Sequence, residues 1–379
     1  MLDLIKLSLW NTGEAKADEH VYEEMEKHAI LALTAPVFSK IEMPAELKNK
    51  WKADILDHVT RYSTYGYIQS KLPLTVPYVI LKGTAAGKYY PYPEYRTMGD
   101  IDIMTRREDF DSAYKSLSDD GFSVIEGSER EIVFEKSGIV VELHAFFASL
   151  NDPEQSKYLD DLILANINPS HVLPDPVNGL VLLEHISQHM EHGLGLRQII
   201  DWMMFVDKCL SDEEWPAFRE MAESIGMERL AVYTTRMCEI YLGLPERKWC
   251  ADADPATCEQ LMEYVLASGN FGSNIVEDLD LSEYVMTKAR TPKATFDLLQ
   301  ERGFENWEAA QKYRFLRPFA WIYQAGRYLT KGLRQKDAIR QLKTAHDVAK
   351  KRNEMFDTLG VKLTAKGLVV YRDGKYVKK

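Results

Sequence analysis

Residues 95–104 read YRTMGDIDIM, and the fold turns on how this run is read. Asp100 and Asp102 stand one residue apart among Ile101, Ile103 and Met104. A strand alternates faces at every residue. Read as a strand, the run puts both acids on one face and turns Ile101 and Ile103 into a core. Two carboxylates about 7 Å apart on one face repel unless a cation lies between them. Hard divalent cations such as Mg²⁺ take oxygen ligands of this kind. The plainer reading is a strand end with solvated acids.

Working outward, YVILKG (78–83) is a β-branched run ending in Gly, a strand entering a turn. TAAGKYY (84–90) suits a helix start, and REDFDSAYKSLSDDG (107–121) reads as a helix closed by Gly121. FSVIEG, EIVFEKSG and IVVELHAFF read as three more strands joined by hairpin-like turns, so residues 77–148 form a β-α-β-α-β-β-β unit. Glu142 falls between Val141 and Leu143, on a strand that can lie beside that of Asp102. Carboxylates from two neighbouring strands can hold two Mg²⁺ ions for in-line phosphoryl or nucleotidyl transfer. In LKGT (81–84), Gly83 ends a strand and Thr84 begins a helix. Such a turn offers backbone N–H groups to a phosphate.

These residues carry a resemblance. A Gly-Thr turn, an Asp-x-Asp strand and a later lone acid on a strand resemble the DNA polymerase β-like nucleotidyltransferase superfamily. The fuller pattern, LKG, then Y-x-R-x-M-G-D-x-D, then ELH, looks like a bacterial family of largely uncharacterised nucleotidyltransferases. The resemblance covers residues 79–147 and extends more weakly to a helical His…His…Arg…Asp pattern after residue 182. It implies a mixed sheet, Mg²⁺ (or Mn²⁺), an NTP donor and transfer of a nucleoside monophosphate. Asp100, Asp102 and Glu142 take the metal-ligand and catalytic positions, and Gly83 and Thr84 take the phosphate turn. This chain has Thr where the superfamily more often has Ser, and Glu where it more often has Asp.

Lys82 and Arg96 are candidates to neutralise the triphosphate, with surface salt bridges as the alternative. Lys88 reads as a solvated helix residue. His144 shares the face of Glu142 and can orient a ligand or meet the acceptor. His185, His189 and His192 fall at i, i+4 and i+7, on one helix face; they read as a packed stripe, as a cleft lining or, with no fourth ligand evident, less readily as a zinc site. Arg197 and Asp201 are spaced for a helix salt bridge, with a supporting role near the site in the resembling family. Tyr89, Tyr90, Tyr92 and Tyr95 read as packing before base stacking.

The remainder reads as mostly helix. Residues 18–71 repeat apolar residues at three and four spacing. From residue 157 onward amphipathic stretches follow one another, one opening on the Ser211–Glu214 capping box. LVVYRDGKYVKK (368–379) holds an Asp-Gly pair between β-prone runs, a terminal hairpin. The expectation is an α+β protein with a small mixed sheet: a helical segment at 1–71, a nucleotidyltransferase core at 72–150, a helical domain at 151–355 and a hairpin tail at 356–379.

The 379 residues carry a net charge of -11, which argues against broad nucleic-acid binding but leaves room for a local basic patch. One basic segment, KGLRQKDAIRQLKTAHDVAKKR (331–352), reads as a solvated helix before a surface for an acidic partner or RNA. No apolar run reaches the roughly 18 residues of a membrane span. An early acidic N-terminus argues against a secretory signal, making the cytoplasm the default. Cys209, Cys238, Cys250 and Cys258 form no CxxC pair and read as free thiols. The functional expectation is a nucleotidyltransferase with an unidentified small-molecule or protein acceptor. Its rivals are a nucleotide-binding or regulatory protein with lost catalysis, and an RNA-directed or toxin/antitoxin enzyme.

Overall fold

The computed structural model describes residues 1–128, 130–150, 152–270, 292–334, 338–361, 369–372 and 375–378. The chain divides into two compact units, Met1–Asn274 with Val369–Val377, and Ile275–Leu368 with Lys378–Lys379. The first holds the sheet.

Five strands build it: β1 (Tyr78–Ile80), β2 (Ile101–Thr105), β3 (Ser123–Gly127), β4 (Glu131–Lys136) and β5 (Ile139–His144). Their order is β1-β2-β5-β4-β3. β2 and β5 are parallel, and the other neighbours are antiparallel, so the sheet is mixed. The β4–β5 hairpin turns on Ser137 (φ 54°) and Gly138 (φ 79°). Positive φ at both turn residues matches the twist of the flanking strands. The two-residue turn pairs Lys136 with Ile139, and the register then runs to Glu131 opposite His144.

Alternation along these strands divides the sheet. Ile101, Ile103, Val141, Leu143 and Phe134 enter one core with Tyr65, Ala113 and Leu117. Those last three come from α1 to α5 in chain order: α1 (Leu2–Trp10), α2 (Glu19–Lys27), α3 (Ala45–Gln69), the single turn α4 (Thr84–Gly87) and α5 (Phe110–Asp119), of which α3 and α5 cover this face. Asp102, Glu142 and His144 alternate with the core residues and so belong to the opposite face.

The helical expectation for 18–71 holds for α2 and α3 but not between them. Residues Leu31–Lys40 form a 3₁₀ run containing Pro36. Proline has no N–H to continue an α-helical ladder, and Ala29 takes φ 56°, which breaks the chain direction after α2. Leu31, Ala32, Leu33 and Thr34 are all buried, so no polar face remains to make this stretch amphipathic.

Beyond the sheet lie α6 (Pro153–Ala165), α7 (Asp175–His192), α8 (Leu196–Cys209), α9 (Trp215–Ser224), α10 (Glu228–Leu242) and α11 (Pro255–Ser268). The Ser211 N–H donates to Glu214 Oε2 (2.9 Å), half of the expected capping box at the entry to α9. Every residue of α7 from Val177 to Ile186 is buried. α7 lies so close to α8 that a Cβ at Gly179 would come within 2.4 Å of the Phe205 ring and 2.8 Å of Phe218.

The second unit contains α12 (Pro292–Asn306), α13 (Glu308–Lys312), a 3₁₀ turn at Arg314–Phe319, α14 (Ala320–Arg334) and α15 (Ala338–Leu359). α15 thus continues past residue 355. β6 (Val369–Arg372) and β7 (Lys375–Lys378) pair as a two-stranded sheet where the terminal hairpin was expected; Asp373 and Gly374 lie outside the described residues. Among the described residues no helix is long and apolar enough to cross a membrane.

Gly179 yields a test. Alanine there gains about 1 kcal/mol of helix propensity over glycine, but its Cβ meets two packed rings, and overpacking costs typically 1–3 kcal/mol. Urea denaturation of Gly179→Ala should show lower stability than wild type, and Gly179→Val lower still; a stabilised alanine variant would mean that the α7–α8 contact is looser than described.

Candidate active site

β1 runs into the turn that was singled out in the sequence. Gly83 has φ +58°, and a Cβ there would come within 2.9 Å of the Met98 side chain. An L-residue rarely adopts this backbone, so glycine is what the turn requires. α4 begins at Thr84 as expected but is a single turn. The Thr84 hydroxyl donates to Gln69 Oε1 at the end of α3 (2.8 Å), so it is already engaged within the fold.

β2 and β5 lie side by side in parallel register, with Asp102 opposite Glu142 and Met104 opposite His144. The register brings three metal-capable side chains together: Asp102, Glu142 and His144 offer atoms all within 4.8 Å of one another. The sequence reading had placed Asp100, Asp102 and Glu142 in this role, with His144 beside them. Asp100 falls outside the tight group because β2 starts at Ile101, so the strand alternation does not extend to it. It remains electrically part of the site. Burial, then the Asp102 charge, raises the Asp100 pKa to about 6 despite Lys82.

Asp102 is fully buried, and an unpaired charge there would be costly. Its Oδ1 faces Lys82 Nζ at 2.6 Å and His144 Nε2 at 3.1 Å. Burial alone would raise the Asp102 pKa, but Lys82 and His144 hold it well below the usual carboxylate value. Burial would likewise lower Lys82, whereas Asp102, Asp100 and Glu142 keep it above its ordinary value. His144 Nε2 also lies 3.5 Å from Glu142, and its Nδ1 lies 3.0 Å from Glu131. Against the burial effect, these three acids raise the imidazole to about 10, so it is a cation at neutral pH. Glu131 in turn drops to about 2, burial being outweighed by His144.

The residues fit a hard divalent cation. Asp102 Oδ2 is buried and, among the described residues, has no hydrogen-bond partner. Burial, then the Asp102 charge, shifts Asp100 toward its neutral form, and Glu142, whose side chain is 22% exposed, opens the group to solvent. Carboxylate oxygens suit Mg²⁺ or Mn²⁺.

Arg96 forms the salt bridge that was its alternative reading, but a buried one. Its Nε and Nη2 each donate to Asp201 at 2.7 Å, and Tyr90 Oη donates to Asp201 Oδ1 at 2.7 Å. Arg96 is 3% exposed and Asp201 fully buried, so the guanidinium ties the loop before β2 to α8. Asp201 was read as the partner of Arg197 on its own helix; its Oδ1 accepts from Tyr90 and Arg96 and its Oδ2 from Arg96. Arg197 is buried nearby, its pKa lowered first by burial and then by Arg96. Tyr89 and Tyr90 are packed, whereas Tyr92 is half exposed. Lys88, read as solvated, pairs with Asp175 at 2.8 Å.

His185 and His189 are buried with their Nε2 atoms 2.9 Å apart. One must donate and the other accept, so both cannot be cations. Burial, then His189 and Lys82, pushes His185 well below its ordinary pKa. Among the described residues neither belongs to a group of three metal-capable side chains. The His192 side chain lies outside the described residues.

Three acids had gone unremarked. Glu131 grips His144, and the two-residue Ser137–Gly138 turn was the signal that could have placed it. Glu184 on α7 is buried and accepts the Ser149 N–H at 2.9 Å, while Asp160 Oδ1 accepts from Phe147 and Ala148 at 3.0 and 2.8 Å. Together they clamp the segment that follows His144. No local sequence pattern marks either one.

A mixed five-stranded sheet that presents acids from two neighbouring parallel strands, beside a glycine turn, has the architecture of a nucleotidyltransferase core. Residues 15–243 match the family described as uncharacterised nucleotidyltransferase, and the chain belongs to that family. Comparison with curated proteins and with solved structures returns no match.

The Asp100 environment sets a pH dependence. The folded state holds this proton more tightly than the unfolded chain, so the contribution is fully present below pH 3.8 and lost as pH rises through about 6. Without divalent cations, wild type should lose up to about 3 kcal/mol relative to Asp100→Asn across that window. Parallel denaturation curves of the two proteins at pH 4 and 7, in chelator, would contradict this.

Proposed function

We propose that the protein is a Mg²⁺- or Mn²⁺-dependent nucleotidyltransferase that moves a nucleoside monophosphate from an NTP to a small-molecule or protein acceptor. The observation that carries this reading is the in-register pairing of Asp102 with Glu142 across parallel β2 and β5, with Asp102 Oδ2 buried and unpartnered. Asp102 and Glu142, with Asp100 adjoining, would hold the cation. When bound, it supplies Lewis-acid activation of the acceptor nucleophile and neutralises the departing pyrophosphate.

The chain's own residues supply the rest. Lys82 directly precedes Gly83 of the glycine turn, its ammonium 2.6 Å from Asp102, and would offer its charge to a triphosphate. Gly83 leaves the turn without a side chain, which lets phosphate approach the backbone. Glu131 holds His144 against the two acids, and the Asp160 and Glu184 clamps fix the chain that leaves β5. The reaction is attack of the acceptor nucleophile on the α-phosphorus, with cleavage of its bond to the bridging oxygen and loss of pyrophosphate.

A second reading has one observation in its favour. Lys82 and protonated His144 both sit on Asp102 Oδ1, so part of the site charge is neutralised from within. A protein that binds nucleotide on this fold without turnover would tolerate that arrangement.

Labelled NTPs incubated with the protein, Mg²⁺ or Mn²⁺ and a cell lysate decide between them. Transfer predicts cation-dependent pyrophosphate release and a labelled acceptor, both abolished by Asp102→Ala. Nucleotide binding without release against any lysate fraction would leave the second reading standing. Among variants that keep wild-type circular dichroism, loss of activity should rank Asp102→Ala at least equal to Gly83→Val, and both well above Thr84→Ala. The last removes one hydrogen bond, to Gln69, worth about 0.5–1.5 kcal/mol of stability, and should leave nucleotide affinity within a few-fold.

A further inference from the structure

The second unit carries a feature that the transfer site does not use. Residues 311–352 contain twelve of the chain's 47 Lys and Arg but two of its 58 Asp and Glu. An acidic protein thus concentrates positive charge in one stretch. Its first part, KYRFLRPF (312–319), alternates cations with rings. Phe315 is 71% exposed, Phe319 52% and Tyr313 47%, with Lys312, Arg314 and Arg317 exposed between them.

We propose that this segment is a binding surface for single-stranded nucleic acid. Arg314–Phe319 is a 3₁₀ turn, in which residues three apart eclipse at a rise of about 6 Å. Arg314 and Arg317 therefore share one ridge, Phe315 and Pro318 the next, and Leu316 and Phe319 the third. Rings and cations alternate around the axis. That is what a single strand needs: bases stack on exposed rings while adjacent cations track the phosphates. A helix that lies on a membrane instead gathers its apolar residues on one face and its cations on the other, and this turn does not. The cations and rings already associate, with the Arg317 guanidinium 5.2 Å from the Phe304 ring and Lys312 Nζ 5.6 Å from that of Tyr313. The charge of the segment repels a second copy of itself and attracts a polyanion. The acidic remainder of the chain confines the contact to this patch, which is why the overall charge does not exclude it.

The test uses the full chain with fluorescent oligo(U) and oligo(dT) of about 20 nucleotides, without NTP and in chelator, so the transfer site takes no part. With three cations engaged, the logarithm of affinity should fall against that of salt with a slope of about −2, a loss of roughly 20-fold between 50 and 200 mM. Arg314→Ala/Arg317→Ala should bring the slope to −1 or shallower. Phe315→Ala/Phe319→Ala should weaken binding about tenfold or more with the slope unchanged, since stacking is not ionic. These positions are exposed, and circular dichroism verifies that the variants fold. No binding at 50 mM salt with protein up to about 100 µM overturns the proposal, as does binding that both double variants retain. So does binding to anionic phospholipid vesicles in place of the oligonucleotides, which would make the surface a membrane contact. None of these outcomes bears on nucleotidyl transfer.

Discussion

The buried charge of Asp102 is the constraint around which the first unit is organised. It lies on a central strand of the sheet with no solvent exposure of its side chain. A lone carboxylate there would be untenable, and the neighbouring groups are the answer to it. Lys82 comes from the turn after β1 and His144 from the end of β5, so the charge is met from both adjacent strands. Removing one partner of such a buried set typically costs 3–5 kcal/mol, because the remaining charge is left unmatched. The same groups that make Asp102 bearable are those to which the proposed function gives a phosphate and a divalent cation. Stability and the proposed chemistry therefore act on the same atoms.

A second buried ionic centre, Arg96 with Asp201 and Tyr90, fixes the loop that leads into β2. It is bidentate and nearly free of solvent, the geometry in which an arginine–carboxylate pair is most directional. The loop it anchors contains Met98 and runs into Asp100, so the pair on α8 sets where the acids begin. On the far side, Asp160 and Glu184 receive the backbone N–H groups that follow His144. Helices outside the sheet thus hold both ends of the acidic group. The family match, extending to residue 243, takes in α6 to α10 as well as the sheet.

Charge around the site is unevenly satisfied. Asp102 Oδ1 has two cationic neighbours and Oδ2 has none, while Asp100 is held toward its neutral form. Protein interiors seldom leave a buried carboxylate oxygen unpartnered. Here the unpartnered oxygen belongs to one of the acids that would hold the cation of the proposed function. Local charge explains the other end of the chain as well, where a basic stretch with exposed rings stands apart from an acidic whole.

Much was legible from residue order because it rests on local rules. Period-two alternation placed Ile101 and Ile103 in the core, a glycine closing a β-branched run marked the LKGT turn, and Asp-Gly between β-prone runs marked the terminal pair β6–β7. The sequence by itself therefore determined the α+β class, the strand sequence and the acids at its centre. What it could not supply is which distant group meets each charge. Arg96 and Asp201 are 105 residues apart and Glu184 and Ser149 are 35 apart, separations over which no periodicity operates. The point at which β2 begins, which admits Asp102 and leaves Asp100 outside the tight group, was likewise decided by tertiary structure. So was the parallel register that sets Glu142 opposite Asp102. A buried charge finds its partner through the packing of separate elements, and that packing exists only once the chain has folded.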